Sequence, residues 1–340
     1  MIVGFIYASI VEYNMMFYLM DELIRTGHVV YSFSTHDVRP LNERVYKSTI
    51  AEPRDIYDVV EPVLKTGIID VWITINDMGP YGTPRELFDS GKPTVLLQGG
   101  VKGYDHAISM KERGMVFQSE YVFVGGEHDK HFYMEGGVPE EKIRITGLPH
   151  LSGVGKPPQS KEVLREAFGL PKNEKIILWA NRTHTRFPEE DVESAEWLEE
   201  LSKKYYVITK LHPTEIEHSV YDRDAFERVF VRTANLTNLI YISDVLVTHT
   251  SCCGLDAMLL GVPVVQNHPG HCKSGKYRTG YADFGGAFHG RNKQEFLESV
   301  DRALDGEALD FNGCLSRMGY TQPDPATRVI EELKKIVGEL

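Results

Sequence analysis

Short apolar runs rich in β-branched and aromatic residues recur along the whole chain, and stretches with apolar residues at helical spacing separate them. Alternation of this kind implies a parallel sheet with helices on both faces. The first series of strands reads 1–7, His28–Phe33, Ile69–Ile75, Pro93–Leu97, Tyr121–Val124 and Ile143–Thr146. Helices are expected over 13–26, ending at Gly27 as a C-cap, then over 55–66, near 83–90, over 104–113 and near 127–136. After Gly147-Leu148-Pro149 comes the most linker-like stretch of the chain, 151–160 (LSGVGKPPQS). A second series follows: helix 161–168, strand Lys175–Ala180, helix 190–203, strand Tyr205–Lys210, then Val229–Val231, Val245–Thr248 and Val262–Val265. An amphipathic helix over 324–338 closes the chain.

The sequence thus reads as α/β, with two doubly wound, Rossmann-like domains over 1–150 and 161–340, a linker at 151–160, and a last helix free to pack back on the first domain. Two such domains set their strand C-termini face to face across a cleft, and open α/β sheets bind ligands at those ends.

Charge narrows the ligand. The formal net charge is −12, which argues against duplex nucleic acid and against polybasic docking on a membrane. The N-terminus, Met1-Ile2-Val3-Gly4-Phe5-Ile6-Tyr7, lacks the charged and long apolar regions of a secretory signal and reads as the first strand. No run reaches the ~18 apolar residues of a transmembrane helix. A cytoplasmic protein is expected, at most peripheral at the inner face of the membrane. The adjacent pair Cys252 and Cys253, with Cys272 and Cys314, suits neither a disulfide framework nor a zinc knuckle, and reads as buried thiols in a reducing compartment. His268, His271 and Cys272 lack a fourth ligand at suitable spacing, so no metal is expected. Residues 273–290 are Gly-rich and basic, without the strand–GxxxxGK–helix context of a P-loop, and read as a loop that closes over donor or acceptor. No cofactor is expected beyond the substrate itself.

The chemistry concentrates in the second half. In Tyr206-Val207-Ile208-Thr209-Lys210-Leu211-His212-Pro213 a strand runs into a turn fixed by Pro213. Lys210 and His212 leave the strand end, where a cation and an imidazole suit a phosphate or diphosphate. In Ser243–Ala257 a strand ends in the hydroxyl-rich turn Thr250-Ser251 and opens a helix. Free N–H groups at the helix start, with those hydroxyls, make an anion site. Asp256 lies one turn in, where a carboxylate can accept ribose hydroxyls.

The segments KLHP (210–213) and SDVLVTHTSCCGLDAMLLGVPVV (243–265) resemble the CDP-glycerol glycerophosphotransferase family, of glycosyltransferase-B fold. SEYVFVGGEHDKHFYMEGGVPEEKIRITGLPHL (119–151) is similar to the segment before that family's interdomain linker, and KIILWANRTHTRF (175–187) to its entry into the second domain. The likeness covers about residues 90–270. It implies a transferase that takes a nucleoside-diphosphate-activated donor, a CDP-polyol or NDP-sugar, to a hydroxyl acceptor in cell-surface glycan or polymer synthesis. It also implies that His212, Thr250 and Ser251 contact the donor diphosphate and that Asp256 holds the ribose. The loop Asn181-Arg182-Thr183-His184 would face the cleft, with Arg182 and Arg186 neutralising the leaving nucleotide.

One position departs from the family pattern. Members carry a His-Gly pair after a first-domain strand, and that His is taken as general base. Here the place reads Gln98-Gly99-Gly100, with Gly99 where the His is expected; glycines there allow close backbone approach to a substrate. The base must come from elsewhere, and Asp77 and His106 are the candidates. Two other functions fit the same fold. A UDP-N-acetylglucosamine 2-epimerase-like isomerase would carry Gly-Asp-Thr where this chain has Asn76-Asp77-Met78. A non-catalytic nucleotide-sugar-binding protein would need no base.

Overall fold

The computed structural model describes residues 1–7, 10–34, 47–50, 56–75, 85–100, 117–180, 188–210, 228–230, 235–249, 251–268, 280–320 and 324–339. These form two units. The described residues up to Gly153 belong to the first together with those from Ser316 onward, and the second is Val154–Leu315. The division falls inside the expected linker. Residues from 316 onward, within the expected 161–340 domain whose last helix was left free to pack back on the first, fall in the first unit.

The first unit is built on seven parallel strands: β1 (Ile2–Tyr7), β2 (Val29–Ser34), β3 (Lys47–Ile50), β4 (Val71–Thr74), β5 (Thr94–Leu97), β6 (Tyr121–Val124) and β7 (Ile143–Ile145). Their order is β3-β2-β1-β4-β5-β6-β7, so the winding reverses between β1 and β4. Alternate side chains of one strand feed opposite layers. Val3, Phe5 and Tyr7 pack with helix α1 (Ile10–Arg25) and the final helix, while Ile6 packs with Phe33, Val60 and Trp72 on the other face. Helix α1 buries Met16, Leu19, Met20 and Leu23, the i, i+3, i+4, i+7 set of one face, each contributing about 1.5–3 kcal/mol by burial. It ends where Gly27 takes φ 86°, and His28 N donates to Leu23 O at 2.9 Å. Helices α2 (Ile56–Thr66), α3 (Arg85–Phe88) and α4 (Glu127–Glu135) complete the layers.

The second unit has six parallel strands: β8 (Ile176–Trp179), β9 (Tyr206–Lys210), β10 (Arg228–Phe230), β11 (Val245–Thr248), β12 (Val264–Asn267) and β13 (Phe288–Gly290). Their order is β10-β9-β8-β11-β12-β13, which puts the reversal between β8 and β11. In chain order its helices are α5 (Lys161–Ala167), α6 (Pro188–Ser202), α7 (Leu236–Ile242), α8 (Cys253–Leu260) and α9 (Lys293–Leu304). Trp197, Leu198 and Leu201 of α6 and Phe296, Val300 and Ala303 of α9 cover one face, over Trp179, Val207, Val247 and Val265. The other face carries α7 and α8. Helix α10 (Phe311–Met318) leads back to the first unit, where α11 (Pro325–Val337) buries Ala326, Val329, Ile330 and Leu333 against the first sheet.

Both sheets are pinned across their reversal by the same device. Asp70 Oδ2 accepts from Ile2 N at 2.6 Å and Asp70 N donates to Ile2 O at 2.8 Å. Asp244 Oδ2 accepts from Ile176 N at 2.8 Å and its N donates to Ile176 O at 2.8 Å. In the second unit the buried Arg165 adds to this. It donates to Asp244 Oδ2 at 3.0 Å, to Ile242 O at 2.6 and 2.9 Å, and to the carbonyls of Lys172 and Glu174. A buried guanidinium is tolerated because these oxygens occupy its donors.

Candidate functional site

The C-terminal ends of β9, β8 and β11 lie side by side at the reversal in the second sheet, the place where open α/β sheets hold ligands. Lys210 ends β9 half-buried, and burial holds its ammonium below the usual lysine range. Thr248 ends β11 and donates to Ala180 O at 3.0 Å, tying the ends of β11 and β8 together.

Helix α8 starts beyond β11, at Cys253. Ser251 Oγ accepts from Cys253 N at 3.4 Å, Ser251 O from Gly254 N at 3.4 Å, and Cys252 O from Leu255 N at 2.9 Å. The N–H groups of Ser251 and Cys252 donate to no acceptor among the described residues. Two N–H groups without an acceptor among the described residues, at the positive end of a helix, suit an anion. The turn is held from below by Tyr281, fully buried, whose hydroxyl donates to Ser251 O at 3.0 Å. Its ring lies so close under α8 that a Cβ at Gly254 would come within 2.6 Å of it.

Asp256 sits one turn into α8. Its Oδ1 is enclosed and finds no donor among the described residues, and burial pushes the carboxyl up to about 7. The neighbouring Cys253 thiol is pushed up to about 12 by burial, so it is inert at neutral pH. Cys252 shifts the same way. Cys314 is buried beside the Tyr281 carbonyl.

Beyond β11, Gln266 reaches across the edge. Its Nε2 donates to His249 O at 2.9 Å and its Oε1 accepts from Ala282 N at 3.2 Å. His268 follows β12. Its Nε2 lies 3.3 Å from Nδ1 of His289, whose Nε2 is 3.9 Å from Asp283 Oδ1. The stretch 273–290, read from sequence as a closing loop, is in its described part the floor of this edge. Tyr281, Ala282, Ala287 and Phe288 are buried, and Phe288–Gly290 is an edge strand. No group of three or more metal-ligating side chains gathers among the described residues, and no helix among them is long and apolar enough to cross a membrane.

Of the residues singled out in the sequence, Lys210, Ser251 and Asp256 therefore lie along one edge of the second unit. Asn181, Arg182, Arg186, His212, Pro213, Thr250, His271 and Cys272 lie outside the described residues, as do the base candidates Asp77 and His106. In the first unit the Gln98-Gly99-Gly100 turn has an interior reason for its composition. Gln98 is buried, donating to Gly100 O at 2.6 Å and accepting from Gly125 N at 3.0 Å. A Cβ at Gly99 would stand 2.6 Å from Ile75 Cγ2 and 3.2 Å from Met15 Sδ, and Gly100 takes φ 144°. A histidine does not fit at position 99 unless those neighbours move. Sequence reading missed Tyr281, Gln266 and the His268–His289 contact. The one signal available was the polar end, Gln266-Asn267-His268, of an otherwise apolar strand.

Comparison with known proteins turns this geometry into a family assignment. Residues 101–307 match the CDP-glycerol:poly(glycerophosphate) glycerophosphotransferase family. The chain belongs to that family. It is therefore a transferase that draws on a nucleotide-activated donor, as the resemblance over residues 90–270 implied. A curated relative, the teichoic acid glycerol-phosphate primase of Staphylococcus aureus, is 22% identical over 286 residues, covering 73% of this chain and 75% of the primase. The wall teichoic acid polymerase TagF, in a variant form, superposes with a TM-score of 0.66 at 14% identity, covering 99% of this chain and 89% of TagF. UDP-GlcNAc 2-epimerase from Neisseria meningitidis, bound to UDP-GlcNAc, gives 0.67 at 15% identity over 98% of this chain and 100% of the epimerase. The two structural likenesses share the fold with this glycerophosphotransferase family member, and the fold alone.

Proposed function

We propose that this glycerophosphotransferase family member moves a polyol phosphate from a CDP-activated donor to a hydroxyl of a cell-surface polymer, with the donor seated on the second unit. The observation that carries the reading is the start of α8. It offers two N–H groups without an acceptor among the described residues, beside the sheet reversal, and lies inside the segment that matches the family. The diphosphate accepts from Ser251 N and Cys252 N, and Lys210 supplies positive charge from β9. Asp256, ionised, accepts the ribose hydroxyls. His212, Thr250, Asn181 and Arg182 take the donor contacts that the family pattern gives them.

The acceptor oxygen attacks the phosphorus that bears the polyol, the bond to CMP breaks, and CMP leaves with the negative charge. A partial charge of about +0.5 at the helix start and a desolvated lysine both act on that leaving phosphate. The acceptor's proton goes to a base of the first unit; Gly99 has no side chain for it, which leaves Asp77 and His106. Protein groups carry the charge, so no metal or cofactor enters. Work in the cytoplasm, peripherally at the inner face of the membrane, accords with an activated donor and a polymer acceptor.

The test is CMP release from CDP-glycerol and CDP-ribitol with and without a polyol-phosphate acceptor. Acceptor-dependent release of CMP supports the proposal. No release with either donor, together with conversion of UDP-GlcNAc at C2 seen by NMR without any acceptor, replaces it by the isomerase reading.

A further inference from the structure

Two consecutive residues, Tyr281 and Ala282, fasten the chain where β11 gives way to α8. The Tyr281 hydroxyl donates to Ser251 O at 3.0 Å. The N–H of Ala282 holds Gln266 Oε1 at 3.2 Å, and Nε2 of the same side chain donates to His249 O at 2.9 Å. Tyr281, Gln266 and His249 are all buried. The anchor is itself fixed from behind. Tyr281 O accepts from Gly286 N at 2.9 Å and lies 3.9 Å from Cys314 Sγ on α10. Both neighbouring glycines are there because a side chain has no room. A Cβ at Gly286 would stand 2.6 Å from Cys314, and one at Gly254 would stand 2.6 Å from the Tyr281 ring.

A phenylalanine ring fills the same space as tyrosine, so packing under α8 does not account for the hydroxyl. Its partner does. Ser251 O belongs to the peptide unit whose N–H is that of Cys252. A trans peptide is planar and points its C=O and N–H in opposite directions. Ser251 O also accepts from Gly254 N at 3.4 Å, so this carbonyl points into α8. The Cys252 N–H therefore points off the helix start, where it meets no acceptor among the described residues. Two donors on one carbonyl stop the peptide from turning. They also draw electron density toward the oxygen, which strengthens the N–H of the same unit as a donor.

We propose that Tyr281 is a positioning residue of the donor site: acting through the Ser251 carbonyl, it aims and polarises the Cys252 N–H toward the donor diphosphate. The proposal rests on the donor reading above and adds to it a residue that touches no part of the ligand. Gln266, held by Ala282, fixes the carbonyl of His249 just before this turn.

The experiment is calorimetric titration with CDP, and with cytidine by competition against CDP. It compares the full chain, its Tyr281→Phe variant, and the chain carrying 4-aminophenylalanine at position 281. Tyr281→Phe keeps the ring and removes only the donor, so CDP affinity falls about fivefold, the worth of one hydrogen bond. Cytidine has no phosphate, and its affinity stays within about twofold of wild type. The amino group donates from the same place on the ring and restores CDP binding. Unchanged CDP affinity in Tyr281→Phe overturns the proposal. So does an equal loss for CDP and cytidine, which marks a general loosening of the fold, and so does an amino group that restores nothing. Gly254→Ala, whose Cβ drives the ring from the turn, is the second variant should Tyr281→Phe not fold; unchanged CDP affinity there overturns the proposal equally. Absence of CDP binding by the wild-type chain defeats the donor reading itself, a distinct outcome.

Discussion

Replacing Asp256 by Asn probes folding and donor binding through one carboxyl. Burial lifts its pKa from 3.8 to about 7, with Oδ1 enclosed and unpaired among the described residues. Because the folded pKa lies above the unfolded one, the folded state binds the proton more tightly. The resulting stabilisation is complete below about pH 4 and is lost as pH rises to about 7. A shift of this size is equivalent to about 4 kcal/mol at about 1.4 kcal/mol per unit. The part of it that falls between pH 5 and pH 8 is about 2.7 kcal/mol, and partial solvent access reduces that to about 1–2 kcal/mol. Asn is neutral throughout. Relative to wild type, Asp256→Asn therefore gains about 1–2 kcal/mol between pH 5 and pH 8, roughly 2–8 °C in melting temperature for a unit of this size. Paired urea titrations at the two pH values measure it. Nucleotide binding moves the other way: ribose hydroxyls favour the carboxylate, so wild-type affinity rises from pH 6 to 8 and the variant's does not. An offset between the two proteins that is the same at both pH values would refute the burial argument.

Lys210→Met should weaken CDP binding about tenfold, the worth of one charge-assisted contact; unchanged affinity in a titration counts against its role. Arg165→Met should cost about 3–5 kcal/mol in urea unfolding, because Asp244 and the Ile242 carbonyl lose a buried partner; a loss under 1 kcal/mol would contradict that. Gly99→His, which restores the family's residue type, should lower the melting temperature, because even its Cβ meets Ile75 at 2.6 Å; a wild-type melting curve would show that the turn has room after all.

Much of the fold was legible because central parallel strands are buried on both faces and read as unbroken apolar runs, as in Val245–Thr248. What escaped were edge strands, β3 and β13, whose sequences Lys47-Ser48-Thr49-Ile50 and Phe288-His289-Gly290 are short and partly polar. Helix α9 also escaped, although Asn292 caps it through Glu295 N at 3.0 Å, and Glu295 accepts from Arg291 N at 3.0 Å, a readable start signal. At the site, the turn at Ser251 was visible because a hydroxyl pair between a strand and a helix has a local meaning. Tyr281, 30 residues on, was not, because its hydrogen bond to Ser251 exists only once the chain has folded. Gln98-Gly99-Gly100 was read as an opening toward substrate, whereas Met15 and Ile75 fill the space next to Gly99.

The central claim is that the donor's diphosphate rests on the start of α8. A crystal structure of the full chain with CDP bound tests it most directly. The account predicts diphosphate oxygens within hydrogen-bond distance of Ser251 N and Cys252 N, and ribose hydroxyls on Asp256. CDP bound at the first sheet, or at the second sheet with its diphosphate away from Ser251, would contradict it.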